Sequence, residues 1–167
     1  MKKPAFTICI DTREQAPWCF PEGQQVVRTG LPSGDYSLLG YENVVSIERK
    51  SLDDLVGTII HHRKRFMNEL HRLSSYRRRL VAIEGNVEDI LEHRYNSEAH
   101  PFSVLGSVIS LQATFNTAFC FWGSRQHAEF MGLKWLEHVA ARTKRWAEKE
   151  EQAKQEALQR DWEKGQA

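Results

Sequence analysis

The sequence is poor in cysteine, in proline and in long apolar runs, and carries almost no net charge. Three cysteines (Cys9, Cys19 and Cys120) in 167 residues are too few and too widely spaced for a disulfide scaffold. Without a Cys-x-x-Cys pair they make no convincing zinc site, and they suit a reducing compartment better than secretion. Five prolines and ten glycines exclude collagen-like and low-complexity classes. No apolar run approaches the ~18 residues that span a bilayer, and the start of the chain has no signal-peptide core. The expectation is a soluble, cytoplasmic protein with no membrane association. With 41% apolar residues, the chain can bury one sizeable core.

The net charge of +1 is uninformative, but its distribution is not. Residues 61–79 hold seven basic side chains (Arg63, Lys64, Arg65, Arg72, Arg77, Arg78, Arg79) and three histidines against one acid, Glu69. Solvated helix faces usually mix signs. An excess of this kind is an electrostatic footprint for phosphate, with Arg63, Lys64, Arg65 and Arg72 the expected DNA contacts.

Periodicity supplies an outline. Residues 5–11 read as a buried strand, a second strand is expected over 24–29, and 35–39 and 43–50 form a hairpin through Gly40. Ser51 caps a helix whose stripe is Leu52, Leu55, Val56 and Ile59, and after a break near His61 a second helix covers 62–76. Leu80–Ile83 reads as a buried strand, 101–115 as a helix and 117–122 as a strand, with Ser124 capping the last helix. Strands interleaved with helices predict an α/β fold: a mixed central sheet with helices on both faces. The division expected is a domain over 1–140 and a charged helical tail over 141–167. That tail has seven basic and six acidic residues, with Trp146, Leu158 and Trp162 its large apolar ones, and could dock on a partner protein.

The chemistry concentrates in Gly34-Asp35, Glu48-Arg49-Lys50 and Asp54. Side chains at i and i+2 of a strand share a face, so Glu48 and Lys50 stand about 7 Å apart along it. Across the hairpin Asp35 can approach Glu48, and two such carboxylates can share a hard divalent cation. Phosphodiester hydrolysis needs that cation to polarise a phosphoryl oxygen and acidify a water, with a lysine offsetting charge. Asp11, at the exit of the first strand, is a third carboxylate for the same rim, and Glu14 a weaker fourth.

The string GDYSLLGYENVVSIERKSLDD resembles the signature of XPF-type nuclease domains: Gly-Asp, a gap, Glu-Arg-Lys, three residues, Asp. Upstream, IDTREQ is similar to the family's first acidic motif. The resemblance runs over roughly residues 5–140. It implies a restriction-endonuclease-like fold, Asp35 and Glu48 as metal ligands with the Arg49 carbonyl, and Lys50 as catalytic lysine. Arg49 and Asp54 are implied as supporting motif residues, Asp11 as a further metal ligand, and Arg65 as a helix arginine near the phosphates. The cofactor implied is Mg2+, with Mn2+ able to substitute. Larger relatives append a tandem helix-hairpin-helix module, which 141–167 cannot form, so the likeness is to stand-alone forms of bacteria or their phages.

The function implied is a metal-dependent DNA endonuclease specific for forks, flaps or junctions. It would act as a homodimer through part of 101–116 and the last strand. Two alternatives stand beside it: a noncatalytic DNA-binding or dimerisation module, and a Holliday-junction resolvase. Local readings compete as well. Glu48 and Lys50 can be a plain ion pair, Asp54 can serve only the helix N-terminus, and Arg13 can pair with Glu14. His61 and His62 suit a surface or phosphate role better than metal ligation. Trp135, Trp146 and Trp162 suit packing or partner contacts better than base stacking.

Overall fold

A computed structural model describes residues 6–165. Six strands form one sheet in the order β2-β1-β3-β4-β5-β6. They are β1 (Thr7–Asp11), β2 (Gln25–Thr29), β3 (Tyr36–Leu38), β4 (Val45–Ser51), β5 (Arg78–Glu84) and β6 (Ala118–Phe121). Helices α1 (Leu52–His61) and α2 (Arg63–Ser74) connect β4 to β5, and α3 (Val87–Leu91) and α4 (Pro101–Phe115) connect β5 to β6. The final helix α5 spans Arg125–Gly165. β1 pairs with β3 and β3 with β4 antiparallel, whereas β4, β5 and β6 run parallel, the arrangement that helical crossovers produce.

The sheet separates two cores. One packs Val81, Ile83 and Phe119 against α1 to α4, and the other packs Ile8, Ile10, Tyr36, Val45, Ile47, Leu80 and Ala82 against α5 and Trp18. Interior strands therefore read as continuous apolar runs, as in LVAI of β5, which is buried on both sides. By contrast β2 is an edge strand and mostly exposed.

The expected elements are present with shifts at their ends. Ala5, the start of the first expected strand, lies outside the described residues. β5 is longer than the apolar run that announces it, because its polar ends still pair with β4. His62 breaks the helix between α1 and α2. The short helix α3 carries too little pattern to announce itself: five residues capped by Asn86 and Asp89. Ser124 accepts from the His127 amide at the start of α5, as expected of a cap. The expected boundary at residue 140 falls inside α5, where Val139, Ala140 and Thr143 are still buried. Trp135 packs against the second core. The side chains of Trp146, Leu158 and Trp162 lie outside the described residues.

Candidate active site

The hairpin begins with a glycine that leaves no room for a side chain. Gly34 has φ +78°, and a Cβ there would lie 2.1 Å from Ser46 Oγ and 2.9 Å from the Ile47 carbonyl oxygen. That close approach lets the Asp35 amide donate to the Ile47 carbonyl at 2.7 Å. The Asp11 amide donates to the Asp35 carbonyl at 2.9 Å, so the end of β1, the start of β3 and the end of β4 meet at one rim of the sheet. Alternation then sorts the side chains. Ile10, Tyr36 and Ile47 point to the α5 face, which puts Asp11, Asp35, Glu48 and Lys50 on the face of α1 and α2.

These four side chains line a cleft of about 380 Å3, closed on its other side by Thr58, His62, Arg65, Phe66, Glu69 and Arg72 of α1 and α2. Glu48 is buried, and Lys50 Nζ donates to its Oε1 at 3.0 Å. The same ammonium lies 3.8 Å from Glu69 Oε2 and 4.8 Å from the Phe66 ring centroid. Asp35 Oδ2 accepts the Arg49 amide at 2.7 Å.

The two carboxylates hold their protons far more tightly than exposed acids do. Burial pushes Asp35 up to about 7, against the hydrogen bond from the Arg49 amide. Burial and then the charge of Asp35 raise Glu48 well above the carboxylate range, with Lys50 only partly compensating.

The expected residues do not all stand in it alike. Asp11 faces the cleft, but Oδ1 accepts from the Arg13 amide and Nε, and Oδ2 from Arg13 Nη2 and the Leu31 amide. Its acceptor sites are already filled. Burial raises its pKa, yet these hydrogen bonds prevail and hold it at about 2. Arg13 thus pairs with Asp11 rather than with Glu14, whose carboxylate lies 3.6 Å from Arg49 Nη1. Among the described residues no set of three or more His, Cys, Asp or Glu side chains is arranged to hold a metal ion.

Arg49 points to the other face of the sheet and makes two hydrogen bonds to Glu84, at 2.7 and 2.8 Å. Asp54 lines the cleft while serving the cap of α1: Ser51 Oγ accepts its amide at 3.1 Å and donates to its Oδ2 at 2.7 Å. Of the basic candidates, Arg65 and Arg72 line the cleft and Arg63 and Lys64 do not. His62 lines it, and His61 does not. The sequence pattern does not mark Glu69, Arg13 or Glu84 as site residues. Glu69 was legible only as the lone acid in a basic run, and Glu84 only as the acid ending a strand parallel to β4.

The family model for the ERCC4 domain matches residues 10–131, a span that begins just before Asp11 and takes in every side chain of the cleft. The chain belongs to the ERCC4-domain family. At the level of that family it is a nuclease domain. Among solved structures, XPF from Aeropyrum pernix is 19% identical, with a TM-score of 0.64 over 85% of this chain and 69% of that one. XPF from Aeropyrum pernix in complex with DNA is 20% identical, with a TM-score of 0.63 over 83% of this chain and 66% of that one. These likenesses establish the fold, a six-stranded ERCC4-domain sheet flanked by helices. None of the curated proteins matches the chain. No helix among the described residues of this ERCC4 domain is long and apolar enough to cross a membrane.

Proposed function

We propose that the chain is an endonuclease that hydrolyses DNA phosphodiesters with a divalent cation, Mg2+ or Mn2+, held by Asp35 and Glu48. The observation that carries this reading is the pairing of two desolvated carboxylates beside Lys50, in a cleft whose far wall presents arginines. The donor set fits the ion. Burial and the charge of Asp35 raise Glu48 even with Lys50 beside it, and Mg2+ is characteristically held by one or two carboxylates, with waters and substrate oxygens completing its shell. Asp11 joins that shell only if Arg13 releases it.

A cation bound there supplies charge to a phosphoryl oxygen and acidity to a water. The chain's own groups do the rest. Lys50 Nζ, steadied by Glu48, Glu69 and the Phe66 ring, donates hydrogen bonds toward the reacting phosphate as negative charge develops. Arg65 and Arg72 neutralise neighbouring phosphates, with Arg63 and Lys64 reaching further along the backbone. Arg49 holds Asp35 through its amide, and Asp54 holds the start of α1.

The relative solved with DNA supports DNA as substrate, and a preference for forks, flaps or junctions is part of the same proposal. A homodimer through α4 suits its exposed Phe102 and Ile109, and the charged composition of 141–167 suits contact with a partner protein. Labelled forks, flaps and duplexes incubated with Mg2+ or Mn2+ test the proposal. Cleavage should be lost by Glu48→Ala and fall ~100-fold or more in Lys50→Ala. Cleavage by Glu48→Ala, or wild-type rates in Lys50→Ala, contradicts it.

A further inference from the structure

Directly behind the cleft, on the α5 face, a second carboxylate has no role in the chemistry proposed above. Glu84 ends β5, opposite Ser51 in the register of β4. Its Oε1 accepts Arg49 Nε at 2.7 Å and Trp18 Nε1 at 2.8 Å, and its Oε2 accepts Arg49 Nη2 at 2.8 Å. Arg125, at the start of α5, stands 3.9 Å from Oε1 and donates to the carbonyls of Ala16 and Pro17. The Cys19 amide donates to Glu129 on the next turn of α5. Four parts of the chain converge on Glu84: the end of β5, the active strand, the loop after β1 and the first turn of α5.

We infer that Glu84 is a positioning residue for the cation site, acting through Arg49. The guanidinium of Arg49 faces backwards, but its peptide faces the cleft, where the amide holds Asp35 at 2.7 Å. A two-pronged clamp on the side chain fixes the twist of the strand at residue 49, and with it the separation of Asp35 from Glu48 on either side. Glu14, at 3.6 Å from a single nitrogen, is a poorer holder of the same guanidinium. The inference rests on the reading that Asp35 and Glu48 bind the cation.

Trp18 supplies the control. Its ring stacks on Tyr36 with centroids 4.3 Å apart, so Trp18→Phe keeps an aromatic ring there and removes one donor to Glu84 without touching the Arg49 clamp. If Glu84 were merely structural, its loss and that of its Trp18 partner would act alike.

The test is calorimetric titration of Mn2+ into metal-free wild type, Glu84→Gln, Trp18→Phe and Arg49→Met, with melting temperatures recorded in parallel. Glu84→Gln should weaken Mn2+ binding about tenfold. Arg49→Met should do the same, the double variant should be no worse than either single one, and Trp18→Phe should bind as wild type does. If Glu84→Gln does not fold, Arg49→Met against Trp18→Phe carries the comparison. Wild-type affinity in Arg49→Met or in folded Glu84→Gln would overturn the inference alone. Absence of Mn2+ binding in the wild type would overturn the cation reading, and this inference with it.

Discussion

Asp11 and Asp35 stand on one rim and titrate in opposite senses. Asp11 is held at about 2, below the ~3.9 of an unfolded chain, so its contribution to stability is complete above about pH 4 and is lost as pH falls toward 2. Asp35 is raised to about 7, so the native state binds its proton more tightly than the unfolded chain does. In the cation-free protein the resulting stabilisation is complete below about pH 4 and is lost as pH rises through 7. The melting temperature in a chelator should therefore decline between pH 5 and 7, and Asp35→Asn should flatten the decline while abolishing cleavage. A scanning-fluorimetry series checks this, and a wild-type profile no steeper than that of Asp35→Asn would count against it. At this scale Glu48 and Lys50 were legible from i and i+2 alternation, and Asp35 from the expected hairpin and the Gly-Asp to Glu-Arg-Lys motif. The capture of Asp11 by Arg13 was not, since it depends on how the loop after β1 folds back toward Leu31.

Two junctions between elements set the geometry of the cleft. At the first, Ser51 closes β4 and caps α1, so Ser51→Ala should cost about 1 kcal/mol of stability by chemical denaturation. At the second, Gly34 brings the hairpin within contact of Ser46 and Ile47, and Gly34→Ala should destabilise by about 1–3 kcal/mol or displace Asp35. Wild-type stability together with wild-type cleavage in that variant would show that the close approach is dispensable. The helices α1, α2 and α4 were readable from their apolar stripes, and α1 also from its Ser51 cap. Helix α3 and the polar ends of β5 were not, because pairing and capping rather than hydrophobic period hold them.

At the scale of the molecule, one sheet carries two chemistries on its two faces. The α1 and α2 face holds the cleft, and the α5 face holds the network around Glu84. The sequence announces a mixed sheet, but which strands neighbour which depends on crossovers that no local pattern encodes; β1, for example, lies between β2 and β3. The same limit hid Glu84, whose partners Trp18 and Arg49 lie 66 and 35 residues away. Helix α4 leaves Phe102 and Ile109 about two-thirds exposed, an apolar face that a second copy of the chain would cover. Sedimentation should find a dimer, and Ile109→Asp should convert it to a folded monomer whose melting temperature no longer depends on protein concentration. A monomeric wild type would remove the dimer from the account.

The central claim is that Asp35 and Glu48 share a divalent cation beside Lys50. The anomalous difference map of a crystal soaked in Mn2+ tests it most directly. The account predicts one strong peak between the two carboxylates, lost in Asp35→Asn. A map with no peak there, or with the ion bound elsewhere in the cleft, would contradict it.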